Sequence, residues 1–228
     1  MENKSPKDLI IEELNKIEKP DPNIAIDYVR ENFMQFLDAY CDGVSMMVNR
    51  YWRHVELCVN TQDDFVKNTQ NDTQKHLYDY YIGEIKPTLQ YKLLELTSDY
   101  VKEIRKAVPE FTKTYSIEAK EAVIRVIDHE SVMLHFEEVE IEEFKGIPFH
   151  YFEGGIRPIS LYVRSYIRAL KGNDKRMGVF ERQCIYEPAM QYYDQIENWA
   201  DNLYNRIEEI LLRDLRTRTD KRNPEGCK

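Results

Sequence analysis

The side chains best suited to chemistry in this chain are its histidines and the carboxylates beside them, and their spacing fits few catalytic designs. A di-metal site in a helical bundle needs Glu-x-x-His pairs that project from one helix face into a core. The residues three before His54, His76 and His129 are Tyr51, Thr73 and Val126, so that set is absent. His54 with Glu56, and His129 with Glu130, stand too close in sequence to face one another on a helix. His135 and Glu137 share a face only on a strand, where alternate residues do. A solvated acidic edge is the expectation there. No catalytic residue, cofactor-binding residue or metal ligand is assigned. One alternative is kept: a helical effector enzyme or nucleic-acid-acting protein whose dispersed site gathers His54, His129 and His135 with nearby glutamates.

Other motifs are missing for definite reasons. Gly154-Gly155 lacks the Lys-Ser/Thr that completes a phosphate-binding loop, and there is no Gly-x-Ser-x-Gly elbow. The glutamate-rich stretch lacks the alternate Asp/Asn and glycine of a calcium loop. Cys41, Cys58, Cys184 and Cys227 form no CxxC pair and have no histidine at zinc-finger spacing. Reduced, structural thiols are expected.

Binding chemistry is better represented. Glu137, Glu138, Glu140, Glu142 and Glu143 crowd one short stretch, while Arg213, Arg216 and Arg218 make the far end of the chain basic. A self-contact between these opposite charges, within or between chains, is the most specific expectation. The chain also holds 16 tyrosines. Tyr80-Tyr81 and Tyr192-Tyr193 place adjacent rings on different helix faces, so some should be exposed, as at protein interfaces. Tyr80, Tyr81, Tyr192 and Trp199 join the glutamates and arginines as candidate interaction residues.

The elements that would position these groups are helical. Charged residues make up 32% of the 228 positions and glycine only 8, which suits long solvated helices better than turn-rich sheets. A net charge of -9 argues against general nucleic-acid binding. No apolar run approaches the roughly 18 residues of a membrane span. The polar start, Met1 to Lys7, does not resemble a signal peptide. A cytoplasmic protein is expected.

Ser5-Pro6-Lys7-Asp8 reads as a helix cap. A stripe from Ile26 to Cys58 predicts one helix of roughly ten turns, bent at Gly43. Residues 65–85 carry a weaker pattern. Leu89, Leu93, Leu96, Tyr100, Ile104 and Val108 form a clean stripe closed by Pro109, and another helix follows Ser116 to about Glu130. Between 131 and 155 the apolar residues Val132, Leu134, Phe136, Val139 and Ile141 suggest a strand period, so a small β-ribbon is predicted, with a longer preceding helix as the competitor. Helix resumes after Pro158. The last helix carries Ile185, Ala189, Tyr192, Ile196, Trp199, Leu203, Ile207 and Ile210 in alternating steps of three and four, as in a coiled-coil seam.

The expected architecture is all-α: an elongated bundle of about six helices with a long C-terminal helix and a small β-ribbon insertion. A single domain comprises an arm at 1–20, a body at 21–130, the insertion at 131–158, C-terminal helices at 159–218 and a flexible tail at 219–228. The expected function is that of a non-enzymatic structural or adaptor protein, acting through protein–protein interaction and self-association, with no cofactor.

Overall fold

Helical spacing of apolar residues dominates the sequence, and the computed structural model turns it into five α-helices among the residues it describes, 4–16, 21–58, 79–139 and 182–222. α1 spans Pro6–Leu14, α2 Pro22–Cys58, α3 Lys86–Phe111, α4 Ile117–Met133 and α5 Glu187–Arg222. Two π-helical turns, Tyr81–Ile85 and Arg182–Tyr186, lead into α3 and α5. The fold is all-α, with no strand among the described residues. No described helix is long and apolar enough to cross a membrane.

The chain divides into two compact units. The first comprises Met1–Phe33, Lys92–Glu137 and Tyr193–Lys228; the second comprises Met34–Tyr91 and Glu138–Tyr192.

In the first unit, α1 is set by a reciprocal cap. The Ser5 hydroxyl accepts from the Asp8 N–H at 3.2 Å, and the Asp8 carboxylate accepts from the Ser5 N–H at 3.3 Å. Lys7 ties the helix to Glu110 at 2.6 Å. Buried Glu13 accepts the Asp21 N–H at 2.9 Å, which fixes the chain as α2 begins. The core holds Phe33, Tyr100, Ile104, Val123, Ile127, Leu203 and Ile207, with Tyr193 stacked on Phe33 at 6.5 Å. Tyr100 and Tyr204 share a buried hydrogen bond of 3.0 Å between their hydroxyls. Burial pushes both hydroxyls well above the ordinary tyrosine range.

The start of α4 is anchored to α5. Ser116 caps α4 by accepting from the Ala119 N–H at 3.1 Å, and its hydroxyl donates to Asp214 at 2.5 Å. Arg218 holds the same carboxylate at 3.2 Å and the Thr114 carbonyl at 2.5 Å. Burial acts to raise the Asp214 carboxyl, but the Ser116 and Arg218 hydrogen bonds outweigh it and hold the group below its ordinary value.

In the second unit both π turns have the same cause. Pro87 and Pro188 each stand two residues past a π turn. A helical proline lacks an N–H, and its ring crowds the carbonyl four residues back. A wider turn just before it shifts the ladder and relieves that crowding. Lys86 accordingly donates its N–H to the Tyr81 carbonyl, and Thr88 donates its hydroxyl to the Glu84 carbonyl at 2.7 Å. The two π turns pack on each other, with Tyr81, Ile85, Cys184 and Ile185 buried. Neither Cys41 nor Cys184 is in a disulfide.

Three sequence expectations change here. The β-ribbon is not present in the described part of 131–155: residues 131–133 complete α4, and 134–139 are neither helix nor strand. Leu134 leaves the helix at φ -67°, ψ 114°. The Gln195 side chain from α5 then takes both the N–H and the C=O of Glu137, at 2.8 and 3.3 Å. A helix side chain thus occupies the place of a neighbouring strand. Residues 140–155 lie outside the described residues, as do the weak segment 59–78 and the helix expected after Pro158. Pro109 does not end its helix; α3 continues to Phe111 because Pro109 is exposed, where water can serve the carbonyl it leaves without a donor. At the other end α5 extends to Arg222, so the first residues of the expected tail are helical.

Candidate functional site

The residues that follow α4 cannot continue as helix without losing the hydrogen bonds to Gln195, and their departure opens a cleft against α5. The cleft lies in the first unit and has a volume of about 300 Å³. One wall is Met133, Leu134, His135 and Glu137; the other is Gln195, Asn198, Trp199 and Asn202. Val132 and Met133, at the end of α4, are 82% and 55% exposed, high for apolar side chains at a helix terminus.

Trp199 is the rigid part of this site. Its ring is buried and its indole N–H donates to the Glu130 carbonyl at 3.0 Å. The Glu130 carboxylate, largely covered, is paired with Arg206 and lies 3.2 Å from His129 Nδ1. These contacts join the last turn of α4 to α5 and hold one wall of the cleft against the other. Facing the opening are three carboxamides, Gln195, Asn198 and Asn202, at steps of three and four along α5. That spacing puts them on one helix face. Gln195 is occupied by Glu137. Asn198 and Asn202 are exposed, and their carboxamides have no partner among the described residues.

His135 lines the cleft with its Nδ1 3.0 Å from the Met133 carbonyl, which leaves Nε2 as its outward nitrogen. Glu137 lines it too. His129 lies on Glu130 instead, and the side chain of His54 lies outside those described. Among the described residues no group of three or more His, Cys, Asp or Glu is arranged to hold a metal ion.

The other candidate interaction residues are dispersed. Glu138 is exposed and paired with Lys86 at 2.8 Å, which lowers its carboxyl. Glu140, Glu142 and Glu143 lie outside the described residues. Tyr80 is half-buried, its hydroxyl 3.5 Å from the Met47 sulfur. Tyr81 and Tyr192 are fully buried, and Tyr193 with them, so both rings of the Tyr192-Tyr193 pair are core and only Tyr80 of the four is partly exposed. Trp199 is buried as well, and it reaches an interaction surface only as the inner wall of the cleft. Arg213 and Arg216 are exposed, whereas Arg218 is held by Asp214 and Thr114. The seam on α5 is covered by the chain itself from Ile185 to Ile207.

No protein-family model matches the chain, and neither a curated protein nor a solved structure matches it.

The carboxamide row is inconspicuous in the sequence because it carries neither charge nor ring. Its signal was nonetheless present: Gln191, Gln195, Asn198, Asn202 and Asn205 repeat in steps of four and three, on a face beside the apolar seam.

Proposed function

We propose that the chain is a non-enzymatic helical adaptor, working in the cytoplasm by binding other proteins and by associating with itself. The observation that carries this reading is the cleft of the first unit, with Trp199 and Leu134 as apolar walls and Asn198 and Asn202 at its rim. Carboxamides donate and accept hydrogen bonds but do not titrate near neutral pH, so a row of them recognises rather than transfers protons. Exposed Val132 and Met133 extend the apolar surface past the cleft, as the rim of an interface would. Self-association draws on charge: Glu137 and the glutamates that follow it are opposite in sign to exposed Arg213 and Arg216.

Two measurements test the reading. The wild-type chain and the Asn198→Arg, Asn202→Arg double variant serve as baits in extracts of native cells; partners held by the first and lost from the second support it. The same partners on both baits would remove the cleft from function. For self-association, light scattering compares wild type with Glu140→Lys, Glu142→Lys, Glu143→Lys at low and high salt. A mass above 27.3 kDa at low salt that falls in the variant is expected. An unchanged mass would end that part of the proposal.

A second reading, an enzyme with a dispersed His/Glu site, draws on one observation: His135 and Glu137 line the same cleft.

A further inference from the structure

The contact between Gln195 and Glu137 is a worked instance of how this helix face recognises backbone. One carboxamide spans the N–H and C=O of a single residue outside the helices, at 2.8 and 3.3 Å, as a strand neighbour would. Asn198 and Asn202 carry the same group along the same face and are unoccupied among the described residues. Four residues of helix advance about 6 Å, and two residues of extended chain advance about 6.6 Å. Two asparagines at that spacing therefore match alternate residues, which share one edge of an extended segment. Beside them lies buried Trp199, in a cleft of about 300 Å³ with room for an apolar side chain. The Glu137 carboxylate stands at the same cleft, exposed and without an ion pair among the described residues.

We propose that this cleft binds an extended segment of another protein, laid along α5, in which an apolar residue is flanked at alternate positions by Lys or Arg. The apolar side chain packs on Trp199 and Leu134. The backbone pairs with the Asn198 and Asn202 carboxamides. A basic side chain two residues from the apolar one meets Glu137, the one carboxylate among the described residues lining the cleft, and this complementarity makes a basic partner the fitting one. This inference rests on the reading of the chain as a protein-binding adaptor and specifies the chemistry of the partner.

The probe is a capped heptapeptide, Ala-Lys-Ala-Leu-Ala-Lys-Ala, labelled with a fluorophore and titrated against the full chain by anisotropy. Saturable binding is expected. N-methylation of its three central amides removes backbone donors without touching the protein and should weaken binding about tenfold or more. Replacing both lysines by glutamate should weaken it similarly. The Asn198→Leu, Asn202→Leu variant changes only exposed side chains and should lose about as much as the N-methylated peptide. Equal binding of the parent and N-methylated peptides overturns the proposal, as does no binding at millimolar peptide. If the peptide fails while the arginine-substituted bait still loses partners, this mode of recognition falls and the adaptor reading stands. If the bait variant loses nothing, the adaptor reading falls too. A wild-type chain that doubles its mass while the asparagine variant stays monomeric would make a second copy the occupant, and would also overturn the proposal.

Discussion

Gln195 holds Glu137 by both of its backbone polar groups, accepting from the N–H at 2.8 Å and donating to the C=O at 3.3 Å. This side chain is one anchor of the segment after α4. Glu137 is exposed, so water can replace either bond at modest cost. Gln195→Leu should therefore destabilise the fold by only about 1 kcal/mol, while amide exchange at Leu134 to Glu137 rises sharply. Hydrogen exchange resolved by residue checks this. Unchanged protection would mean that something else fixes the segment.

The hydroxyl pair of Tyr100 and Tyr204 behaves differently, because it is buried. Tyr204→Phe leaves the Tyr100 hydroxyl without its partner in the core, at an expected cost of about 1–2 kcal/mol. Tyr100→Phe together with Tyr204→Phe should cost less than the two single changes combined. A double-mutant cycle by denaturant titration reads the coupling.

The same pair sets an alkaline limit. Burial raises both hydroxyls in the folded state, so the folded chain holds these protons more tightly than the unfolded chain does. Their contribution is fully present below the ordinary tyrosine value near 10 and is lost as pH rises above it. Each tyrosine should then remove up to about 1.4 kcal/mol per pH unit. Denaturation midpoints between pH 8 and 11 test this, and the double phenylalanine variant should show the shallower decline.

Asp214 gives the acid counterpart. Its carboxyl is held below the ordinary aspartate range by Ser116 and Arg218, which outweigh the effect of burial. The stabilisation is present above the unfolded value and is lost as pH falls through the folded one. Asp214→Asn should cost about 1 kcal/mol at neutral pH and little at acid pH, where the wild-type carboxyl is protonated as well. Thermal melts of both proteins at the two pH values decide it.

Much of the fold was legible because helical periodicity is strong here. Leu89, Leu93, Tyr100, Ile104 and Val108 form a stripe in sequence and a buried face in α3. Ser5 and Asp8 formed the cap their types announce. The site was less legible. Val132, Leu134 and Phe136 alternate like a strand, but the pairing they lacked came from Gln195, some sixty positions away. Periodicity describes a segment's faces, not what satisfies its backbone. The α5 seam misled in the opposite sense: its spacing suits a partner helix, and the chain itself supplies the cover.

Gly43 isolates a local cost. It lies inside α2, and a Cβ there would meet nothing within 4 Å. Gly43→Ala should stabilise the chain by about 0.5–1 kcal/mol, read as a higher midpoint in urea. A loss of stability would show that α2 needs the freedom of a glycine at this position.

The claim that the first-unit cleft is the binding surface is met most directly by placing a photo-crosslinking side chain at Asn202, on the rim. Lys106, exposed on α3 and not part of the cleft, is the control position. After irradiation in native extract, the chain labelled at 202 should give discrete adducts that compete with the Lys-Leu-Lys heptapeptide, and the chain labelled at 106 should not. The same adducts from both positions, or none from 202, would contradict a binding role for the cleft.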